Sequence, residues 1–271
     1  MLAAQRKELL LARLRRDGRL IAKDLAIEMG ISDDSLRRDL RELAAAGLCQ
    51  RVYGGALPVS PAIADYAARQ SMEGAGKDRI AKTAAELVFP GSTVILDGGT
   101  TTLAVAKALP RNLRATIITH SPTVAAALVD HPDIEIYLLG GRLFKHSVVT
   151  CGAAAVEAAQ AISADLFLLG VTGVHHEAGL TTGDADKAAM KRALSRRAAD
   201  TYVLASAEKI GAASRYLVLP LADVTGLITD LDQQSTALNH LTDSGVAIVQ
   251  ATSVAGEAVG QEQAFRGNST S

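Results

Sequence analysis

Ser32-Asp33-Asp34-Ser35-Leu36-Arg37-Arg38-Asp39-Leu40-Arg41-Glu42 is the stretch on which the reading of this 271-residue chain turns. Ser32 has the side chain of a helix N-cap, and Asp33 and Asp34 put negative charge in the first turn, where the helix dipole favours it. Leu36, Leu40 and Leu43 recur at spacings of four and three and form one apolar stripe, leaving Ser35, Arg37, Arg38 and Arg41 to project elsewhere. Upstream, Leu9, Leu10 and Leu14 set a helix over residues 4–16 that Asp17-Gly18 closes. Ile21–Met29 reads as a second short helix ending at Gly30, after which Ile31 packs the turn. Downstream of Gly47, Leu48–Tyr53 reads as a strand that turns at Gly54-Gly55. Three short helices and a small hairpin predict a winged helix-turn-helix over residues 1–56, whose third helix enters the major groove. Arginine there chelates guanine or clamps phosphate. The expected contacts to operator DNA are Ser32, Ser35, Arg37, Arg38 and Arg41 on the helix, with Arg51 and Tyr53 on the wing.

Charge is distributed to match. Residues 1–56 hold eleven Lys/Arg against eight Asp/Glu, and the remainder seventeen against twenty-one, so a net −1 conceals a basic short end. At 48% hydrophobic and 21% charged residues the composition is that of a globular protein, with cores resting on Ala, Leu and Val because Trp is absent. Cys49 and Cys151 stand far apart without the clustering of a zinc site or a disulfide framework, so each reads as a small buried hydrophobe. No run of about 20 apolar residues exists. The expectation is a cytoplasmic protein with no membrane partner, no metal and no cofactor.

Residues 57–75 lose periodicity around Pro58 and Pro61 and read as a linker, partly helical over 62–71. From 76 to 250 strands and helices alternate: helices over Lys77–Val88, Thr102–Leu109, Pro122–Val129, Ala153–Ile162, Asp184–Asp200 and Ser235–Ser244. Strands are expected at Thr93–Leu96, Ala115–Ile118, Ile134–Leu139, Leu166–Leu169, Thr201–Leu204, Tyr216–Leu219, Gly226–Ile228 and Val246–Val249. Apolar strands between helices imply an open, mostly parallel α/β sheet covered on both faces. The Ser- and Gly-rich tail, 251–271, is expected to be disordered.

Ligands in such sheets bind beyond the carboxyl ends of the strands. There lies Asp97-Gly98-Gly99-Thr100-Thr101-Thr102, where glycines let N–H groups approach a phosphate, hydroxyls add donors, and a helix N-terminus adds partial positive charge. Neighbouring strand ends supply Thr119-His120-Ser121, Gly140-Gly141-Arg142, Gly170-Val171-Thr172-Gly173 and Ser206-Ala207-Glu208-Lys209. The expected effector site is Asp97, Gly99, Thr100, Thr101, Thr102, Ser121, Gly141, Arg142, Thr172, Gly173 and Lys209, with Arg142 and Lys209 facing phosphate charge and Asp97 accepting from sugar hydroxyls.

Residues 5–57 resemble the DNA-binding domain of the DeoR family of bacterial regulators. Ser35-Leu36-Arg37-Arg38-Asp39-Leu40 matches its Thr-Ile-Arg-Arg-Asp-Leu, and Tyr53-Gly54-Gly55-Ala56 its His-Gly-Gly-Ala wing. Residues 76–250 resemble the family's sensor domain, related in fold to ribose-5-phosphate isomerases and coenzyme A transferases, through Asp97-Gly98-Gly99-Thr100-Thr101, Leu139-Gly140-Gly141, Gly170-Val171-Thr172-Gly173, Gly179-Leu180-Thr181-Thr182 and Glu208-Lys209. The resemblance implies a repressor of a carbohydrate operon, acting as a homodimer or homotetramer and relieved by a phosphorylated sugar or related metabolite. The alternative is a sugar-phosphate isomerase with an appended DNA-binding domain. Such isomerases carry an Asp-Gly-Ala-Asp run where this chain has Gly170-Val171-Thr172-Gly173. Both acids are thus glycine here, although Asp97, Asp184 and Glu208 remain candidate bases. No catalytic residue is assigned.

Overall fold

The computed structural model describes residues 2–71 and 74–251; most of the tail read as disordered, 252–271, lies outside the described residues. The N-terminal part opens with α1 (Ala3–Asp17), which ends at Gly18, then β1 (Leu20–Ile21), α2 (Ala22–Met29) and α3 (Asp33–Ala45). The wing follows as β2 (Gln50–Val52) and β3 (Gly55–Leu57), and β3 pairs antiparallel with both β2 and β1. One residue of the expected second helix is therefore placed differently: Ile21 is strand, because the wing recruits Leu20 and Ile21 as its third member. Gly55 makes this possible, since a Cβ there would lie 1.7 Å from the Leu20 carbonyl oxygen. Leu10, Leu14, Leu25, Leu36, Leu40 and Leu43 form one buried core with Cys49 and Ala56. Asp39, also buried, accepts a two-point ion pair from Arg6 that fastens α1 to α3.

Residues 58–71 form a packed strap. A 3-10 turn, Pro61–Ile63, leads into α4 (Tyr66–Ser71). Val59 bridges to Ala213, the Tyr66 N–H donates to the His146 carbonyl (2.9 Å), and the Tyr66 hydroxyl donates to Thr123 Oγ1 (3.2 Å). The stretch that reads as a linker is thus partly helical, as its sequence suggests, but is bound along the sensor.

The sensor begins with α5 (Gly74–Ala85), then β4 (Thr93–Leu96), α6 (Thr100–Ala108), β5 (Ala115–Thr119), α7 (Pro122–Leu128) and β6 (Ile134–Leu138). A hairpin of β7 (Arg142–Phe144) and β8 (Val149–Cys151) precedes α8 (Ala153–Gln160) and β9 (Ala164–Gly170). The chain continues through β10 (Gly173–His175), β11 (Gly179–Thr182), α9 (Ala185–Ser195), β12 (Ala198–Leu204), β13 (Tyr216–Leu219), β14 (Gly226–Thr229), α10 (Thr236–Asp243) and β15 (Ile248–Gln250).

Seven of these strands form one parallel sheet in the order β15-β14-β12-β9-β4-β5-β6. Alternate residues of each strand enter opposite cores: Val94 and Leu96 pack with Ile80, Val105 and Leu128 on one face, and Ile95 and Phe167 pack with Ala155, Met190 and Leu241 on the other. Two expectations change. The helix read as Asp184–Asp200 stops at Ser195, because Ala198 and Asp200 pair with Ala164 and Leu166 as the start of β12. Tyr216–Leu219 is a strand, but in a small antiparallel sheet with β10 and β11. From β4 the chain moves outward to β5 and β6, then returns to place β9 on the other side. The crevice between the ends of β4 and β9 is therefore the switch point where open α/β sheets bind ligands.

Candidate functional site

On the DNA side, Ser32 caps α3 by accepting the Ser35 N–H (3.3 Å), and the two serine hydroxyls hydrogen-bond at 2.9 Å. Arg37 is held by Asp33 four residues earlier (2.7 Å), while Arg38 and Arg41 are exposed on the same helix. Arg51 is exposed on β2, and Tyr53 stands fully exposed at the wing turn. All seven expected DNA contacts thus lie on α3, at its cap or on the wing.

At the switch point a cleft opens. Beneath its lining lies Asp97, wholly buried. One carboxylate oxygen accepts from His120 Nε2 (2.8 Å); the other accepts from the Lys191 ammonium and the Gly170 N–H (2.8 Å). Burial alone would raise this carboxyl, but the Lys191 charge and the His120 hydrogen bond hold it well below the usual carboxylate range. The other nitrogen of His120 faces the Thr150 carbonyl at 2.7 Å.

Above Asp97 stands the N-terminus of α6. Its cap, Gly99, has φ +142° and offers no side-chain acceptor, so the N–H groups of the first turn point into the cleft without a side-chain cap. The Thr102 hydroxyl is spent on the Gly99 carbonyl (3.0 Å). Around the opening stand five cations from four segments: Arg69 of α4, Lys77 of α5, Lys187 and Lys191 of α9, and Lys209 of the 3-10 turn Ala207–Lys209. Among the described residues, Glu208 is the only carboxylate lining the cleft. Arg69 donates through Nε to the Ala64 carbonyl (3.0 Å), and its Nη2 is buried with no hydrogen-bond partner among the described residues. The Thr182 hydroxyl is in the same condition, and both line the cleft. Burial pushes the Lys209 ammonium down to about 8. Burial, reinforced by the nearby Lys191 charge, pushes Lys187 down to about 7. An anion seated here would satisfy the orphaned donors and favour the charged lysines.

Of the expected effector residues, Gly99, Thr100, Thr101, Thr102, Thr172 and Lys209 line the cleft. Asp97 does not, because its oxygens are consumed beneath it by Lys191, His120 and Gly170, which leaves none for a sugar hydroxyl. Ser121 is buried against Thr123 Oγ1 (3.0 Å) and the Val148 carbonyl. Arg142 is turned outward to Asp186 (2.7 Å). Gly141 packs against Ala155 and Cys151, and Gly173 allows close approach to the Ala212 carbonyl. Sequence reasoning missed Arg69, Lys77, Lys187 and Lys191. Lys187, Lys191 and the buried Leu194 share the spacing of one helix stripe, a pattern that places the two lysines on the inward face.

One other group of possible metal ligands stands together among the described residues, His175, His176 and Glu177. Nδ1 of His175 already accepts the N–H groups of Glu177 (3.1 Å) and Ala178 (3.3 Å). The neutral ring therefore carries its proton on Nε2 and has no lone pair to offer an ion there.

A profile described as the DeoR C terminal sensor domain matches residues 73–231, and one described as the DeoR-like helix-turn-helix domain matches residues 6–62. The putative aga operon transcriptional repressor of Escherichia coli O157:H7 is 30% identical over 91% of this chain and 93% of its own. The transcriptional regulator GlpR of Haloferax volcanii is 32% identical over 92% and 98%. The transcriptional repressor GlcR of Bacillus subtilis is 32% identical over 87% and 92%. Among solved structures, ribose 5-phosphate isomerase A of Methanocaldococcus jannaschii overlays 49% of this chain and 52% of its own at a TM-score of 0.36 and 18% identity. Exposed arginines on a capped third helix and wing, joined to a sensor whose cleft opens at the switch point, are thus matched by relatives along nearly the whole chain, which belongs to the DeoR family of helix-turn-helix transcriptional regulators.

Proposed function

We propose that this regulator represses a carbohydrate operon and releases its operator when a phosphorylated sugar or related metabolite occupies the cleft. One observation carries the reading: five cations and two orphaned donors, Arg69 Nη2 and Thr182 Oγ1, converge on the uncapped N-terminus of α6. Such a site favours a phosphate dianion over a neutral ligand. Dimers or tetramers place paired copies of α3 on half-sites of the operator. The path from cleft to DNA-binding domain is short. Val59, two residues beyond β3 of the wing, bridges to Ala213, four residues beyond Lys209. Arg19, between α1 and β1, pairs with Glu177 of the sensor (3.4 Å). A ligand that draws Arg69 and Lys209 toward α6 pulls on the strap that begins where the wing ends.

The cleft holds its ligand without converting it. Asp97 is ion-paired and covered, Glu208 is tied to the Ser206 hydroxyl (2.6 Å), and Gly170 and Gly173 carry no acid. Neither of these carboxylates is thus free to act as a base, and Asp184, the third candidate, caps α9 through Oδ1. Thermal unfolding of the full chain against a set of sugar phosphates tests the binding, since a ligand selective for the native state raises Tm by mass action. Phosphorus NMR of the same mixtures tests the absence of turnover. A binder that remains chemically unchanged supports the reading, and rapid isomerisation contradicts it.

A further inference from the structure

A second chamber of about 190 Å³ adjoins the first and shares with it Ala62, Thr172 and Lys187. Its own walls differ in kind. Where the inner cleft is lined by cations and N–H donors, the outer chamber is lined by Phe144, His146, Ser147 and Asp184. The Phe144 ring lies 5.7 Å from the Lys187 ammonium, which donates to the Ser147 hydroxyl (2.8 Å). His146 is tilted against the same ring at 5.9 Å. Asp184 caps α9 through Oδ1, which accepts the Lys187 N–H (3.0 Å). The shared Lys187 therefore stands between a cationic chamber and one offering an aromatic face, a hydroxyl, an imidazole and a carboxylate.

The loop that carries His146 and Ser147 is held in an unusual shape. Val148 has φ +52°, a left-handed conformation that a β-branched residue rarely adopts. The Ser121 hydroxyl reaches its carbonyl (3.4 Å), and the Tyr66 N–H binds the His146 carbonyl. Strain of this kind persists where surrounding contacts over-determine it, and it gathers at ligand clamps. Here it fixes the two side chains at the mouth of the outer chamber.

Resting on the reading of the inner cleft as a phosphate site, we propose that the outer chamber is the selectivity subsite: it takes the carbohydrate body of the ligand. Phe144 covers the C–H face of the sugar, while Asp184 and Ser147 read its hydroxyls. Polar wall groups that a wrong ligand leaves unpaired discriminate against it, and here Ser147 is buried and Asp184 half-buried, so this chamber, and not the phosphate cradle, decides which sugar the regulator answers.

Titration calorimetry on the full-length protein tests this with inorganic phosphate, glycerol 3-phosphate and a set of hexose 6-phosphates. Wild type is expected to bind at least one hexose phosphate tenfold or more tightly than inorganic phosphate. Asp184→Asn, which keeps a capping side chain on α9, and Phe144→Ala are each expected to lose at least tenfold for that hexose phosphate while holding inorganic phosphate as wild type does. Inorganic phosphate bound with no gain for any hexose phosphate overturns the subsite and leaves the cradle standing. So does retention of the sugar preference in both variants. Failure of inorganic phosphate and every ester to bind removes the cradle, and the subsite with it.

Discussion

Helix α3 and the cleft at the end of β4 both present positive charge, yet they are assembled in opposite ways. Arg37, Arg38 and Arg41 sit within five residues of one helix, exposed to water. Arg69, Lys77, Lys187, Lys191 and Lys209 come from four segments and meet under cover, where desolvation pushes Lys187 and Lys209 down. Exposed charges are cheap to keep and weak one at a time, which suits a surface that meets a polyanion through many contacts. Buried charges are costly and need a partner, which suits a site that binds one small anion.

Removing a buried charge should therefore do far more damage to the fold than removing an exposed one. Lys191→Met removes the ammonium that neutralises the buried Asp97 carboxylate, leaving it the hydrogen bonds of His120 Nε2 and the Gly170 N–H. The expected loss is about 3–5 kcal/mol, a Tm decrease on the order of 10 °C, read by calorimetry. Arg38→Ala, measured alongside, should stay within about 0.5 kcal/mol of wild type. Equal Tm values would erase the contrast.

Legibility in the sequence divides along the same line. The α3 surface was readable because cap, stripe and projecting arginines all lie within one local period. The two strand ends that bear both glycine and threonine, 98–102 and 170–173, were readable because parallel topology dictates where they go. The lysines of α9 drew no reading, since a short, Ala-rich helix offers other stripes besides that of Lys187, Lys191 and Leu194 that could turn inward. Arg69 was hidden because its segment is aperiodic and reads as a tether; the hydrogen bonds of Tyr66 that dock it depend on His146 and Thr123, distant in the chain. Arg142 and Asp97 misled in the reverse direction: each has the right charge at the right strand end, but each is consumed by a protein partner, Asp186 or Lys191.

The wing offers a backbone test of the DNA-binding half. Gly55→Ala drives a Cβ into the Leu20 carbonyl and should cost about 1–3 kcal/mol, seen as earlier proteolysis of the N-terminal part while sensor ligands still bind. On DNA, Arg38→Ala and Arg41→Ala should each weaken operator binding by about 1–3 kcal/mol where the side chain reads a base. Where it meets phosphate instead, the salt dependence should be lowered by about one unit of slope. Neither should alter binding of a sugar phosphate, which calorimetry on the same preparations checks.

The cleft has a pH signature that α3 lacks. Unfolded lysines stay protonated to about 10.4, whereas Lys187 and Lys209 lose their protons from about 7 and about 8 when folded. The unfolded chain therefore binds more protons across this interval, and the stability of the ligand-free protein should rise with pH from about 7 towards 10. An anion favours the charged lysines, so its binding takes up protons and its affinity should fall by roughly tenfold, about 1.4 kcal/mol, between pH 7 and 9. Calorimetry in buffers of different ionisation enthalpy reads the proton count directly. Smaller still is the effect of Ser32→Ala, which removes the α3 cap at a cost of about 1 kcal/mol and should show as a small loss in both N-terminal stability and DNA affinity.

The most direct measurement is titration of the DNA upstream of this gene with full-length protein, with and without each of a set of sugar phosphates, in wild type and Lys209→Met. If the buried cations sense an anion and transmit its presence to α3, at least one sugar phosphate lowers wild-type DNA affinity by about 100-fold, a coupling of roughly 2.7 kcal/mol, while Lys209→Met binds the DNA normally and ignores the compound. Identical DNA affinity with every compound, or undiminished release in Lys209→Met, contradicts the account.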